Sequence, residues 1–210
     1  MQDSVTFDAK TAMEAYRTAF EQGCSKFLKR YPETELYAPV RYLMALGGKR
    51  LRPVLVMAAC EASGGRPEEA LPAALAVELF HNFTLMHDDI MDDAPLRRGM
   101  PTVHEKWDNN TAILSGDALH VMACEALLDA PDKALPDLLR TYHRTALEVC
   151  EGQEQDMAFE SRRDVTIEEY MEMIRLKTSV LLAAALEMGG KSAGADRQTR
   201  EALYELGRRV

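Results

Sequence analysis

Between Leu71 and Met86 the chain reads LPAALAVELFHNFTLM, with Glu78 its one residue of fixed charge. The stretch is shorter than the roughly 20 apolar residues needed to cross a bilayer. It also lacks the apolar/polar alternation of a half-buried strand. A helix apolar nearly all round is a buried helix, and Pro72 suits its first turn. The sequence therefore predicts a central buried helix over residues 71–93, with Val77, Phe80 and Leu85 kept from solvent. That helix leads without a break into His87, Asp88, Asp89, Ile90, Met91, Asp92 and Asp93.

The remaining segments repeat the 3.6-residue period. Helices are expected over 7–29, 40–46, 53–62, 110–128, 135–160, 166–188 and 197–210. Thr166 and Glu169 form a capping-box pattern, Gly47-Gly48 and Gly64-Gly65 act as stops, and a loop surrounds Gly99 and Pro101. Aromatic residues are 7% of the chain against 12 Met, which favours helix packed on helix. No repeat or linker interrupts residues 1–210, so the expectation is one all-α domain, a single helical bundle. A net charge of −9 excludes nucleic acid as a natural partner. Four cysteines (Cys24, Cys60, Cys124, Cys150) without CxxC spacing read as reduced thiols of a cytoplasmic protein. No signal-peptide pattern opens the chain, and no stable membrane insertion is expected.

Four carboxylates at the end of a buried helix raise one another's pKa. Asp88 and Asp92 share one face, Asp89 and Asp93 another. Hard oxygen ligands so spaced suit Mg²⁺, which binds through one or two carboxylates plus substrate phosphates. A solvated acidic helix end is the alternative. Arg97, Arg98 and Gly99 follow, and GGKRLRP precedes at residues 47–53. There Lys49 and Arg52 stand beside glycines whose backbone an anion can approach closely. Each basic cluster alone reads as surface. Together with the carboxylates they describe a diphosphate–magnesium site.

GGKRLRP at 47–53, HNFTLMHDDIMDDAPLRRGMPTVH at 81–104, SGDAL at 115–119, EGQEQDM at 151–157 and RLKTSVLL at 175–182 look like successive motifs of the trans-isoprenyl diphosphate synthase family. The likeness is to its short-chain members, the geranylgeranyl and farnesyl diphosphate synthases. It implies a bundle of long helices around a deep central cavity, paired as a homodimer. It also implies Mg²⁺-dependent head-to-tail joining of isopentenyl diphosphate to an allylic diphosphate, with release of pyrophosphate. No protein nucleophile is needed, so the help is positional and electrostatic.

Carried over motif by motif, Asp88 and Asp92 look like metal ligands, with Asp89 a lesser candidate. Arg97, Lys177 and Thr178 look like contacts to the allylic diphosphate. Lys49, Arg52, His81 and Arg98 look like the isopentenyl diphosphate site. His81 lies about two turns before Asp88 on the same face; a satisfied core histidine is its alternative. Lys177 sits in the apolar run IRLKTSVLLAAAL and needs an anion or an internal salt bridge. Gln153 and Asp156 share a helix face opposite the first aspartates. Asp156 takes either a supporting part near the metal or a structural hydrogen bond, and Asp117 reads as a packing residue.

The family's second aspartate-rich motif has no counterpart here, since no acidic cluster follows Glu205. The expectation is a chain truncated at its C-terminus whose 210-residue form turns over poorly. A non-catalytic partner subunit is the rival reading. A terpene cyclase is disfavoured by GGKRLRP and the RRG segment. Product length is expected at C15 to C20, leaning to C20, and set by Phe83 and Thr84. Helical arithmetic puts Thr84 roughly 40° from Asp88 and Phe83 roughly 140° away. Geometry alone thus leaves Phe83 in the core, while the family resemblance makes it the plug.

Overall fold

The computed structural model describes residues 8–209, so Phe7 and Val210, expected at helix ends, lie outside the described residues. Among the described residues ten α-helices follow one another: α1 (Ala9–Leu28), α2 (Ala38–Ala45), α3 (Leu51–Ala62), α4 (Leu71–Met91), α5 (Val103–Lys106), α6 (Asn109–Leu127), α7 (Leu135–Ser161), α8 (Ile167–Ile174), α9 (Val180–Ser192) and α10 (Arg197–Arg208). The fold is all-α, as expected. Among the described residues the sheet content is one hairpin, β1 (Leu96–Arg97) against β2 (Met100–Pro101). None of the described helices is long and apolar enough to cross a membrane.

Helix α4 is the axis of the bundle, flanked by α6, α3 and α9, while α9 also packs on α7 and α10. Its first ten residues carry the load: Ala73, Ala74, Ala76, Val77, Leu79 and Phe80 are all essentially inaccessible. Alanines on this face let the neighbouring helices close in. Leu85, expected in the core, instead forms part of a cavity wall.

Helix ends follow local chemistry. Thr166 accepts from Glu169 N while the Glu169 side chain accepts from Thr166 N, the expected capping box. Gly47 has φ +74° just after α2, where a Cβ is disfavoured. Helix α4 ends differently. Asp93, not a glycine, takes the left-handed position (φ +48°). The Asp93 and Ala94 amides then donate to the Ile90 and Asp89 carbonyls, closing a Schellman turn.

The stretch expected as one helix over 166–188 is in fact α8, a π-helical turn at Arg175–Ser179, and α9. A π turn holds an extra residue and is common at functional sites. The 3₁₀ turn Pro67–Ala70 and the short α5 had no counterpart in the sequence reading.

Candidate active site

The final turns of α4 face a cavity of about 660 Å³, bounded also by α3, α7 and the π turn. Asp88 lines it. Lys177, carried by the π turn, donates from Nζ to Asp88 Oδ1 at 3.1 Å and to Asp156 Oδ2 at 2.5 Å. Burial alone would lower the lysine's pKa, but hydrogen bonds to Asp156 and Asp88 outweigh it and hold the ammonium above its usual value. The internal salt bridge left open for Lys177 is therefore present, and it lies on the cavity wall. Asp92 caps α4 one turn on, its amide donating to the Asp88 carbonyl at 2.9 Å. Burial and then the charge of Asp88 push its carboxyl above the ordinary range, with Lys177 opposing.

Asp89 is placed otherwise than expected. It is 2% exposed, and both its oxygens accept from Arg97, Nε at 2.9 and 2.8 Å and Nη2 at 2.6 Å. This bidentate pair raises the Arg97 pKa and ties β1 to α4. Neither residue lines the cavity. The one step of 100° from Asp88 to Asp89 moves the carboxylate from the chamber to the hairpin.

The GGKRLRP segment divides in the same way. Arg50 has φ +49° and is buried. It donates to Glu21 (2.7 Å), Glu78 (2.8 Å) and the Met44 carbonyl (2.6 Å), so it explains why Glu78, the lone charge of the apolar stretch, is tolerated. Arg52, on the first turn of α3, lines the cavity. Its Nε is buried with no hydrogen-bond partner among the described residues. Its Nη1 stands 3.1 Å from His81 Nε2. Burial, reinforced by the charges of Arg52, Arg98, Arg97 and Arg50, pushes the His81 pKa down to about 3. His81 is therefore a neutral imidazole facing an arginine. Lys49 is exposed. Arg98 folds over Gly48, where a Cβ would stand 3.0 Å from its guanidinium nitrogens.

Both Phe83 and Thr84 line the cavity, as do Gln153 and Thr178. Phe83 stacks within a ring cluster, 4.7 Å from His87, 5.2 Å from His120 and 5.6 Å from Phe80 between centroids. It is at once wall and core, which the helical arithmetic could not show. Thr84 donates to the His81 carbonyl at 2.8 Å, and Gln153 Nε2 reaches Met91 Sδ at 3.7 Å. Asp117 is not itself part of the cavity lining, but its Oδ1 stands 3.9 Å from Nε2 of His87, which is.

Two further positions support the site. A Cβ on Gly152 would lie 2.4 Å from the Lys177 backbone nitrogen, and one on Gly116 would lie 2.2 Å from His87 Nε2. Glycine at these places lets α7 approach the π turn and α6 approach α4. The signal in the sequence was a glycine inside each helix, where it costs about 1 kcal/mol against alanine without a packing reason.

Residues 33–210 match the polyprenyl synthetase family. The geranylgeranyl diphosphate synthase of Methanosarcina mazei is 50% identical over 178 residues, 84% of this chain and 55% of the relative. The geranylfarnesyl diphosphate synthase of Natronomonas pharaonis is 40% identical over 216 residues, 94% of this chain and 63% of the relative. A crystal structure of a geranylgeranyl pyrophosphate synthase superposes with a TM-score of 0.91 at 48% identity, covering 93% of this chain and 60% of that one. The chain thus spans little more than half the length of the relatives it matches. With the family match running through the motifs at 47–53, 81–104 and 175–182, and the same all-α architecture in the solved relative, this chain belongs to the polyprenyl synthetase family.

Proposed function

We propose that the cavity binds two diphosphate-headed prenyl substrates and joins isopentenyl diphosphate head to tail onto an allylic diphosphate, in a Mg²⁺-dependent reaction that releases pyrophosphate. The observation that carries this reading is the make-up of one chamber. Phe83, Leu85, Met91, Val149, Met157 and Leu181 give it apolar walls, while Arg52 and Lys177 put cations, Asp88 a carboxylate and His81 a neutral imidazole on the same lining. An amphiphile with a hydrocarbon tail and an anionic head fits such a surface.

The donor set fits magnesium. Asp88 and Asp92 lie one turn apart and offer hard oxygens. Burial and then the charge of Asp88 raise the Asp92 pKa, and a dication beside it would oppose both. Lys177 already places positive charge between Asp88 and Asp156. Mg²⁺ held there would neutralise charge building on the departing diphosphate. Lys177 and Thr178 hold the allylic diphosphate, and the ammonium turns from Asp88 to phosphate oxygen. Arg52, with Lys49, Arg98 and neutral His81, holds the isopentenyl diphosphate. The allylic C–O bond breaks with its electron pair leaving on the diphosphate. The isopentenyl double bond then supplies the new C–C bond, and the condensed cation loses a proton. The apolar walls exclude water from the allylic cation.

Product length of C15 to C20 rests on Phe83 as the chamber's plug. Relatives 40–50% identical are named for different products, so family membership alone does not fix the length. The protein is taken as a cytoplasmic homodimer. Ile113, Leu114 and Val121 on α6, with Leu128 at its C-cap, are 42–63% exposed, an apolar strip suited to a second copy.

The test is radiolabelled isopentenyl diphosphate with each allylic diphosphate in Mg²⁺, using this chain and a form extended to the relatives' length. Condensation by the extended form, and weak turnover by the 210-residue form, are expected. Substrate binding without condensation by the extended form would point instead to a non-catalytic partner subunit.

A further inference from the structure

Just past the end of α4, away from the cavity lining, three ligand-type side chains converge. Asp93, His104 and Glu105 each offer one ligand atom, and these atoms lie within 4.8 Å of one another. The hairpin makes the meeting. Leu96 pairs with Pro101 and Arg97 with Met100, and Thr102 closes its neck by donating from Oγ1 to the Ala94 carbonyl at 2.7 Å. Helix α5 therefore starts beside the residue that ends α4.

His104 is 8% exposed, yet neither ring nitrogen has a hydrogen-bond partner among the described residues. Glu105 Oε1 is 3.8 Å from its Nε2, beyond hydrogen-bond range. A buried imidazole with both nitrogens unsatisfied calls for a partner. Asp93 and Glu105 beside it are exposed.

We propose that Asp93, His104 and Glu105 bind a transition-metal dication of the zinc class. One imidazole nitrogen and two carboxylates suit zinc-like ions, whereas Mg²⁺ prefers oxygen alone. In a tetrahedral zinc shell the ligand atoms stand about 3.4 Å apart. Rotation of the two exposed carboxylates closes the present spacing to that. The ion staples α5 to the end of α4 and so fixes the hairpin that carries Arg97 and Arg98. It does not depend on the reading of the cavity.

The test is titration of the chelator-stripped chain with Zn²⁺, followed by calorimetry and thermal melting, in excess Mg²⁺ to mask the all-oxygen pair Asp88 and Asp92. One Zn²⁺ per chain and a raised Tm are expected. Asp93→Asn, whose amide side chain tolerates the left-handed backbone, and Glu105→Gln should each weaken binding about tenfold or more, with the metal-free Tm unchanged. His104→Ala opens a hole in a buried position, so these two exposed substitutions carry the decision. Absence of stoichiometric Zn²⁺ under excess Mg²⁺ overturns the proposal, and so does parental affinity in both variants.

Discussion

Two pairs of cations, Arg50 with Arg97 and Arg52 with Lys177, meet opposite fates, although Arg50 and Arg52 stand only two residues apart. Arg50 and Arg97 are saturated, the first by Glu21, Glu78 and the Met44 carbonyl, the second by both oxygens of Asp89. Arg52 and Lys177 line the chamber, and Arg52 keeps a buried Nε unpaired while facing a neutral histidine. The saturated pairs fix where α2, α4 and the hairpin sit. On this open side Arg52 leaves valence for a ligand, and Lys177, held by Asp88 and Asp156, must exchange a carboxylate for one. Charged clusters in a sequence thus mix scaffold and site, and position on the chamber wall, together with the partners of each charge, separates them.

The largest expected effect breaks the scaffold side of this contrast. Arg50→Ala strands Glu78 in the core and should cost about 3–5 kcal/mol of stability by urea unfolding. Arg52→Met should leave stability equal or higher, because it removes a poorly paired buried charge, while weakening diphosphate binding. Equal destabilisation by both would erase the distinction. Next in size, Lys177→Met in the extended form should lower kcat/KM about 10²–10³-fold, the usual loss for a preorganised electrostatic contact, with little change in unfolding.

How far these fates were legible beforehand depends on range. The capping box at Thr166, the stop at Gly47 and the burial of Val77 and Phe80 follow from neighbours in sequence, and the structure has them. Asp88 and Asp89 differ by one helical step, and which of them meets Arg97 depends on a hairpin that no local rule places. The π turn around Lys177 is likewise tertiary, because it sits against Gly152 on another helix. Phe83 was ambiguous for the same reason: its ring partner His120 comes from α6.

His81 offers a smaller test of the open side. Its folded pKa of about 3 lies below the ordinary 6.5. The unfolded chain therefore takes up a proton that the folded chain refuses. Stability from this residue is complete above pH 6.5 and is lost as pH falls from there toward 3. His81→Gln should flatten the decline of Tm across that window, and an unchanged slope would place His81 in a charged or solvated setting. Smallest in its expected effect on turnover is Phe83→Ala. It shortens the wall without touching a charge, so products separated by chain length should shift to longer species. An unchanged distribution at unchanged turnover would assign Phe83 to the core alone.

The most direct measurement is a crystal structure of the chain with Mg²⁺ and a bisphosphonate. The expected result is an ion about 2.0–2.1 Å from oxygens of Asp88, Asp92 and the ligand. Lys177 should have swung onto the ligand's phosphonate, and Asp89 should remain locked to Arg97. Ligand density with no metal within about 2.5 Å of Asp88 or Asp92, or a metal held by Asp89 with its arginine pair broken, would contradict the division between scaffold and site.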